Sequence, residues 1–404
     1  MVPTHDRPDV QDGVMASLRL ELDALKADGL YRWLRQIEGA QGARVRVDGR
    51  DTILLASSDY LGLASHPRLK EAARQAIDRY GCSASAARLI SGNHSLYPQL
   101  EARLARFKQT EAALVFSTGY QANLGVISAL TDSQDVVFSD ELNHASIVDG
   151  CRLSRAQVRV FPHNDLNALE DLLTRETAAR RKLIVVDGLY SMDGDMAPLA
   201  EIVGLAERHG CLTMVDDSHG TGVLGEAGRG SAEATGVLGR IDIETGSLAK
   251  ALGGFGAYVV GDRTVIEYLI NKARSFIFTC AMPPAVLATV IEALAVVEQE
   301  PERRQRLWDN TRYFRAGLRE ARFEIGQSET QIIPLMVGGS ERTMRLCHEL
   351  LERGVFAQGI RYPTVAPGTE RIRLTVTASH TKADLDAALA ALVKVGHALH
   401  VIAS

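Results

Sequence analysis

Lys250 sits in the stretch Ile241-Asp-Ile-Glu-Thr-Gly-Ser-Leu-Ala-Lys-Ala-Leu-Gly-Gly-Phe-Gly-Ala-Tyr258, between two short β-like runs and just ahead of Gly253 and Gly254. A lysine ammonium with a pKa near ~10.4 is a poor nucleophile in water, but desolvation or a cationic neighbour frees the amine to attack a carbonyl. Most lysines are solvated, so the neighbours decide the reading. Upstream, Cys211-Leu-Thr-Met-Val-Asp216 is an apolar run that stops on a carboxylate, with His219 three residues further on. Strands of open α/β sheets deliver polar groups in this way to their carboxyl ends, where ligands bind. The glycines after Lys250 would let a flat ligand approach the backbone. An amine, a buried acid and an imidazole together can hold pyridoxal phosphate, which needs a lysine for its aldehyde and a partner for its ring nitrogen.

Other segments end in similar chemistry. Ala112–Phe116 reads as a strand, followed by Ser117-Thr118-Gly119-Tyr120 and an alanine- and leucine-rich helix. A helix N-terminus after such a turn offers free N–H groups and a positive dipole end to a phosphate, and Ser247 and Thr279 could add hydroxyls. Val136–Asp140 precedes Asn143-His144, where an imidazole could lie on an aromatic ring. Leu183–Asp187 precedes Tyr190-Ser191-Met-Asp-Gly-Asp195, a turn sequence by its Asp-Gly. Arg373, on the alternating run Ile372–Thr377, has the planar fork that suits a carboxylate.

The elements that must position these groups alternate between strand and helix, which predicts an α/β fold with a mostly parallel sheet and helices on both faces. Ala16–Ile37 carries Leu18, Leu22 and Leu25 at helical spacing and reads as an amphipathic arm. Val45–Leu55 alternates around Asp48-Gly49 as a hairpin. Helices are predicted at 97–107, 164–180, 264–274, 284–298, 342–353 and 382–399, and strands at 157–161 and 331–337. The charged, proline-containing run Glu300–Arg306 marks the passage to a smaller α+β domain. Three parts follow: an arm and hairpin over 1–60, a large domain over 61–296 and a small C-terminal domain over 297–404.

Composition narrows the partners. A chain of 404 residues, 46% of them hydrophobic, can bury a large core. Its net charge of −5 gives no basic field for nucleic acid. Five scattered cysteines without CxxC spacing argue against a disulfide framework or a zinc site. The polar, acidic start Met1–Val14 reads as unstructured and not as a signal peptide, and no apolar run approaches ~18 residues. A cytoplasmic protein with no membrane partner is expected.

Taken together, Lys250, Asp216-x-x-His219, Asn143-His144-Ala-Ser146 and Arg371-Ile-Arg373 resemble the fold-type I pyridoxal-phosphate enzymes, specifically the α-oxoamine synthase family, from about Leu20 to about Leu392. The resemblance implies that an amino acid condenses with an acyl thioester, carried on coenzyme A or acyl carrier protein, with loss of carbon dioxide. Lys250 would bind the cofactor aldehyde and move the Cα proton. Asp216 would hold the ring nitrogen, His219 the phenolic oxygen, and His144 would stack on the ring. The phosphate would lie at Thr118, Gly119, Tyr120 and Ser247, with Ser191 as a further cofactor contact. Thr279 would reach the phosphate of a neighbouring subunit, which implies an obligate homodimer with shared active sites. Arg373 would take the amino-acid carboxylate. Arg32 together with Ile360-Arg361-x-Pro-Thr364-Val points to L-alanine and a pimeloyl thioester, with glycine and acetyl-coenzyme A as the alternative and an aminotransferase as a more distant one. Two positions depart from the family pattern: Ser58 replaces an asparagine, and Asp187 replaces a glutamate.

Overall fold

The structure, a computed structural model, describes residues 10–403. Residues 1–9, which hold most of the segment expected to be unstructured, lie outside the described residues. The N-terminal helix runs Val10–Ala27, so it begins earlier than the leucine pattern predicts and stops well before Ile37. The stop falls at Asp28-Gly29, where Gly29 takes a left-handed φ of 67° that an ordinary residue disfavours. The hairpin forms from Arg44–Val47 and Arg50–Leu54. Asp48 and Gly49 both have positive φ, 48° and 79°, the geometry of the tight turn that Asp-Gly prefers.

Seven strands make the central sheet, in the spatial order 112–116, 257–261, 243–247, 212–216, 182–187, 136–140, 157–161. Only Ala257–Gly261 runs against the others. The middle strands are buried on both faces, which explains their continuous Val/Ile runs. Helices Gly119–Leu130, Ala145–Ser154 and Arg263–Lys272 cover one face, packing Val126, Ile127, Ile147 and Leu269 on Leu114 and Val137. Leu166–Arg175 and Leu199–His209 cover the other, packing Leu169, Leu173 and Ile202 on Phe138 and Ile184. The helix predicted over 164–180 is thus shorter, held between the Asp165 cap and Glu176. A third cluster joins Pro67–Tyr80, Leu96–Lys108 and Pro284–Gln299 around Leu100, Tyr258 and Leu294.

Towards the C-terminus a three-stranded antiparallel sheet, 332–336, 371–375 and 358–360 in that order, packs against helices Glu302–Glu320, Ser340–Glu352 and Lys382–Ala398. The last helix opens on a capping box between Thr381 and Asp384. The N-terminal hairpin shares this core: Val355–Phe356 pairs in parallel with Ile53–Leu54, and Ile53 and Leu55 bury beside Leu335 and Leu346. Within Gly81–His94 the chain makes one wide helical turn, Arg88–Gly92, with Arg88 stacked 3.9 Å from the Tyr97 ring centroid.

Candidate active site

Because six of the seven strands point the same way, their carboxyl ends gather on one edge of the sheet. A cavity of about 170 Å³ opens there, lined by Lys250, Asp216, His219, His144, Ser191 and Ser247, with Gly119 and Tyr120 at the start of a helix. These residues come from five different strand ends, so the sheet alone brings them together.

Successive acids after Leu212–Val215 part company because strand side chains alternate. Asp216 lines the cavity, its Oδ2 accepting from Asn123 Nδ2 at 2.7 Å and its Oδ1 from the Ser218 N–H at 2.9 Å. Asp217 turns inward to the fully buried Lys108, 3.0 Å from Nζ, which Thr221 and Glu244 also meet. Asp187, in register with Asp216 on the adjacent strand, accepts the His144 backbone N–H at 2.7 Å, so the shorter acid still reaches a partner. Burial and the charge of Asp216 push the Asp187 carboxyl well above its usual range.

Among the described residues, no hydrogen bond or ion pair engages Lys250 Nζ, which lines the cavity wall. Burial lowers its pKa to about 8; Asp216 opposes the fall and Arg373 adds to it. His219 is pushed well below its ordinary value by burial, with Lys250 and Arg373 acting in the same direction, so it is neutral. Arg373 Nη2 donates to Tyr60 Oη at 3.2 Å, and Tyr60 Oη lies 2.7 Å from His219 Nδ1. With the guanidinium donating to the phenol oxygen, the Tyr60 O–H is left to donate a hydrogen bond to Nδ1, an arrangement that assigns the ring proton of neutral His219 to Nε2. Tyr60, Asn123 and Ser218 were not among the sequence candidates, and Ser146 entered only within the Asn143-His144-Ala-Ser146 motif, with no role of its own. Near Tyr60, the sequence marked only Ser58, two residues earlier.

At the helix start, Thr118 caps the chain by accepting from Gln121 N–H at 3.1 Å, leaving the Gly119 and Tyr120 amides at the cavity. A Cβ added at Gly119 would meet nothing within 4 Å, so the space above this helix end is open. An unpartnered amine of lowered pKa, an acid and an open helix N-terminus fit pyridoxal phosphate. The glycines after Lys250 do other work than expected. A Cβ at Gly253 would meet the Ala64 backbone nitrogen at 2.5 Å and one at Gly254 the Val290 side chain at 2.6 Å, so they seat chain on chain and do not face a ligand.

The structure divides the remaining candidates. Thr279 lies outside this cavity lining and its hydroxyl accepts from Gln121 Nε2 at 3.3 Å. Arg32, Arg361 and Thr364 line a second cavity of about 360 Å³ with Tyr31, Gln358 and Cys347. Arg361 Nη2 donates to the Tyr31 carbonyl at 2.7 Å, and burial and Arg32 lower the Arg361 pKa. Gln358 lies opposite Arg373 on the adjacent strand; Arg373 is outside the first cavity's lining and reaches its His219 through Tyr60.

Residues 50–392 match the family described as aminotransferase class I and II. The chain is 56% identical to an 8-amino-7-oxononanoate synthase of Geobacter metallireducens, over 95% of this chain and 98% of that protein. It is 54% identical to the enzyme of that name in Geobacter sulfurreducens, over 96% and 99%. Its fold superposes with a TM-score of 0.92 on serine palmitoyltransferase from S. paucimobilis with bound PLP–myriocin aldimine, at 33% identity over 98% of this chain and 100% of that one.

Proposed function

The chain belongs to the aminotransferase class I and II family of pyridoxal-phosphate enzymes and, within it, to the α-oxoamine synthases, and we propose that it joins L-alanine to a pimeloyl thioester to form 8-amino-7-oxononanoate for biotin synthesis. In that reaction the acyl carbon bonds to the alanine α-carbon, the thiol carrier leaves, and the alanine carboxyl departs as carbon dioxide. The observation that carries the reading is the gathering of Lys250, Asp216, His219 and His144 in one cavity of a chain so similar, end to end, to synthases of this name.

Bound here, pyridoxal phosphate supplies an aldehyde for the amino acid and a ring that accepts electrons from its α-carbon. The chain's own groups do the rest. Lys250, with a pKa of about 8, is an amine for an appreciable fraction of the time near neutrality and takes the Cα proton on Nζ. Asp216 would hold a protonated ring nitrogen, since an adjacent anion raises the pKa of that cation. Neutral His219 would offer Nε2–H to the ring's phenolic oxygen. Amides at Gly119 and Tyr120, with Ser247, would hold the phosphate, and Ser191 adds a contact from the neighbouring loop. Arg373 receives the alanine carboxylate; Arg32, Arg361 and Thr364 receive the polar parts of the acyl donor.

The active unit in this reading is a homodimer in the cytosol. A second copy would cover Trp33 and Phe278, 70% and 72% exposed, and the leucines along Val10–Ala27. Thr279, outside its own chain's cavity lining, would then serve the partner's phosphate. All five cysteines are free, in keeping with a reducing compartment. Among the described residues no helix is long and apolar enough to cross a membrane. Sedimentation at micromolar concentration that gives a monomer would rule out the shared site. Release of the free thiol carrier should be faster with L-alanine and pimeloyl thioester than with glycine and acetyl-coenzyme A. The reverse order would replace the proposed substrates with the glycine pair.

A further inference from the structure

Asn123 lies in the second turn of the helix Gly119–Leu130 and is 1% exposed. Its amide meets three polar partners. Nδ2 donates to Asp216 Oδ2 at 2.7 Å and to Ser146 Oγ at 2.9 Å, while Oδ1 accepts from Thr245 Oγ1 at 2.9 Å. Rotating the amide would set its oxygen against the carboxylate, so these partners fix which end is which. The Ser146 hydroxyl, having accepted from Asn123, has its proton left for His144 Nδ1, 2.7 Å away. The Ser146 backbone N–H also aims at Nδ1, at 3.2 Å. Two donors converge on that nitrogen, which therefore carries no proton itself.

We infer that Asn123 is a positioning residue for the cofactor cavity, fixing the plane of the Asp216 carboxylate and, through Ser146, the Nε2–H tautomer of His144. What those two groups then do rests on the pyridoxal-phosphate reading. The residue type is suited to this task. Asn123 gives Asp216 a hydrogen bond without a charge, so the carboxylate keeps its full attraction for a cationic ring nitrogen; arginine or lysine would neutralise it and aspartate would repel it. Thr245, on the strand beside Asp216, locks the amide from behind, and the Ser218 N–H holds the other carboxylate oxygen. The whole chain, Thr245 to Asn123 to Ser146 to His144, is a single directed run of donors.

The test is a ¹⁵N-histidine spectrum of the full-length perdeuterated protein without added ligand, with His144 assigned by its loss in His144→Gln. The expected result is Nε2–H alone. In Asn123→Ala, the freed Ser146 hydroxyl should let the Nδ1–H form gain population, and dialysis should show pyridoxal phosphate bound about tenfold more weakly, as loss of one charge-assisted hydrogen bond implies. Should that variant fail to fold, Ser146→Ala tests the His144 arm alone and should shift the tautomers in the same direction. An Nδ1–H tautomer in the unaltered protein overturns the inference, as does a folded Asn123→Ala with unchanged tautomer and affinity. Absence of cofactor binding by the unaltered protein would instead sink the cofactor reading, leaving the tautomer measurement to judge Asn123 separately.

Discussion

The pH dependence of Lys250 can be worked from the structure. A group lowered from 10.5 to about 8 has roughly one molecule in ten as free amine at pH 7, against a few in ten thousand for a solvated lysine, an advantage of roughly 300-fold. Covalent capture of added pyridoxal phosphate at Lys250, fixed with borohydride and quantified by peptide mass, should rise about tenfold per pH unit below 8 and level off above it. Two variants should move the midpoint in opposite directions. Asp216→Asn removes an anion that raises the lysine, so its midpoint falls; Arg373→Gln removes a cation that lowers it, so its midpoint rises, each by up to about a unit. Stability of the ligand-free chain should follow the same sign. The lysine's folded pKa is depressed, so its cost is fully present below about 8 and is relieved as pH rises from there towards 10.5. A capture midpoint near 10, or variants that shift the same way, would refute the reasoning.

Two further outcomes follow from the polar contacts around the cavity. His163 lies between Asp140, 3.0 Å from Nδ1, and Asp195, 2.7 Å from Nε2. Burial lowers its pKa, but the two carboxylates outweigh this and raise it to about 10. Its contribution is fully present below the ordinary histidine value near 6.5 and is lost progressively as pH rises from there to about 10, so urea melts should show it shrinking from pH 7 to 9. His163→Ala should cost about 3 kcal/mol by removing the imidazolium that faces buried Asp140, which keeps its backbone donors at Leu142 and Asn164; a change below about 0.5 kcal/mol would count against the pairing. Separately, Arg361→Ala should raise KM for the acyl thioester about tenfold and spare that for the amino acid, with Arg373→Ala doing the opposite. Steady-state kinetics with each substrate varied in turn would expose an error if both variants affected one substrate.

The parts of the site that were legible in the sequence are those that local pattern controls. An apolar run stopping on Asp216, a strand and turn before Gly119, and Asp48-Gly49 between alternating residues all carry their geometry within a few neighbours. Tyr60 and Asn123 were not legible, because their partners lie 159 and 93 residues away and nothing local distinguishes a tyrosine that orders a histidine from one that fills a core. Gly253 misled for a related reason: its positive φ of 61° and its contact with Ala64 exist only once the loop has folded back on residues 63–64. The helix Pro67–Tyr80 escaped notice because only Leu69 and Ala76 are buried, too few to give an apolar period.

The strand Arg371–Thr375 gives the site its sense of distance. Arg371 and Arg373, two residues apart, project from the same face. Arg371 meets Asp193, in the loop that carries Ser191, while Arg373 meets Tyr60 and through it His219. Thr330, ahead of the neighbouring strand, donates to the Gly194 carbonyl in that same loop at 2.8 Å, and Ser328 beside it donates to the Ile332 carbonyl. The C-terminal sheet is therefore tied to the cavity by oriented polar contacts, where apolar packing alone would permit sliding. A guanidinium meant for one carboxylate must sit at a set separation from the amine that works on the adjacent carbon, and hydrogen bonds of fixed direction supply that separation. On the proposed reaction, Arg373 would take the amino-acid carboxylate and Lys250 would act at the next carbon, and these contacts hold the two residues to one frame although they come from different sheets.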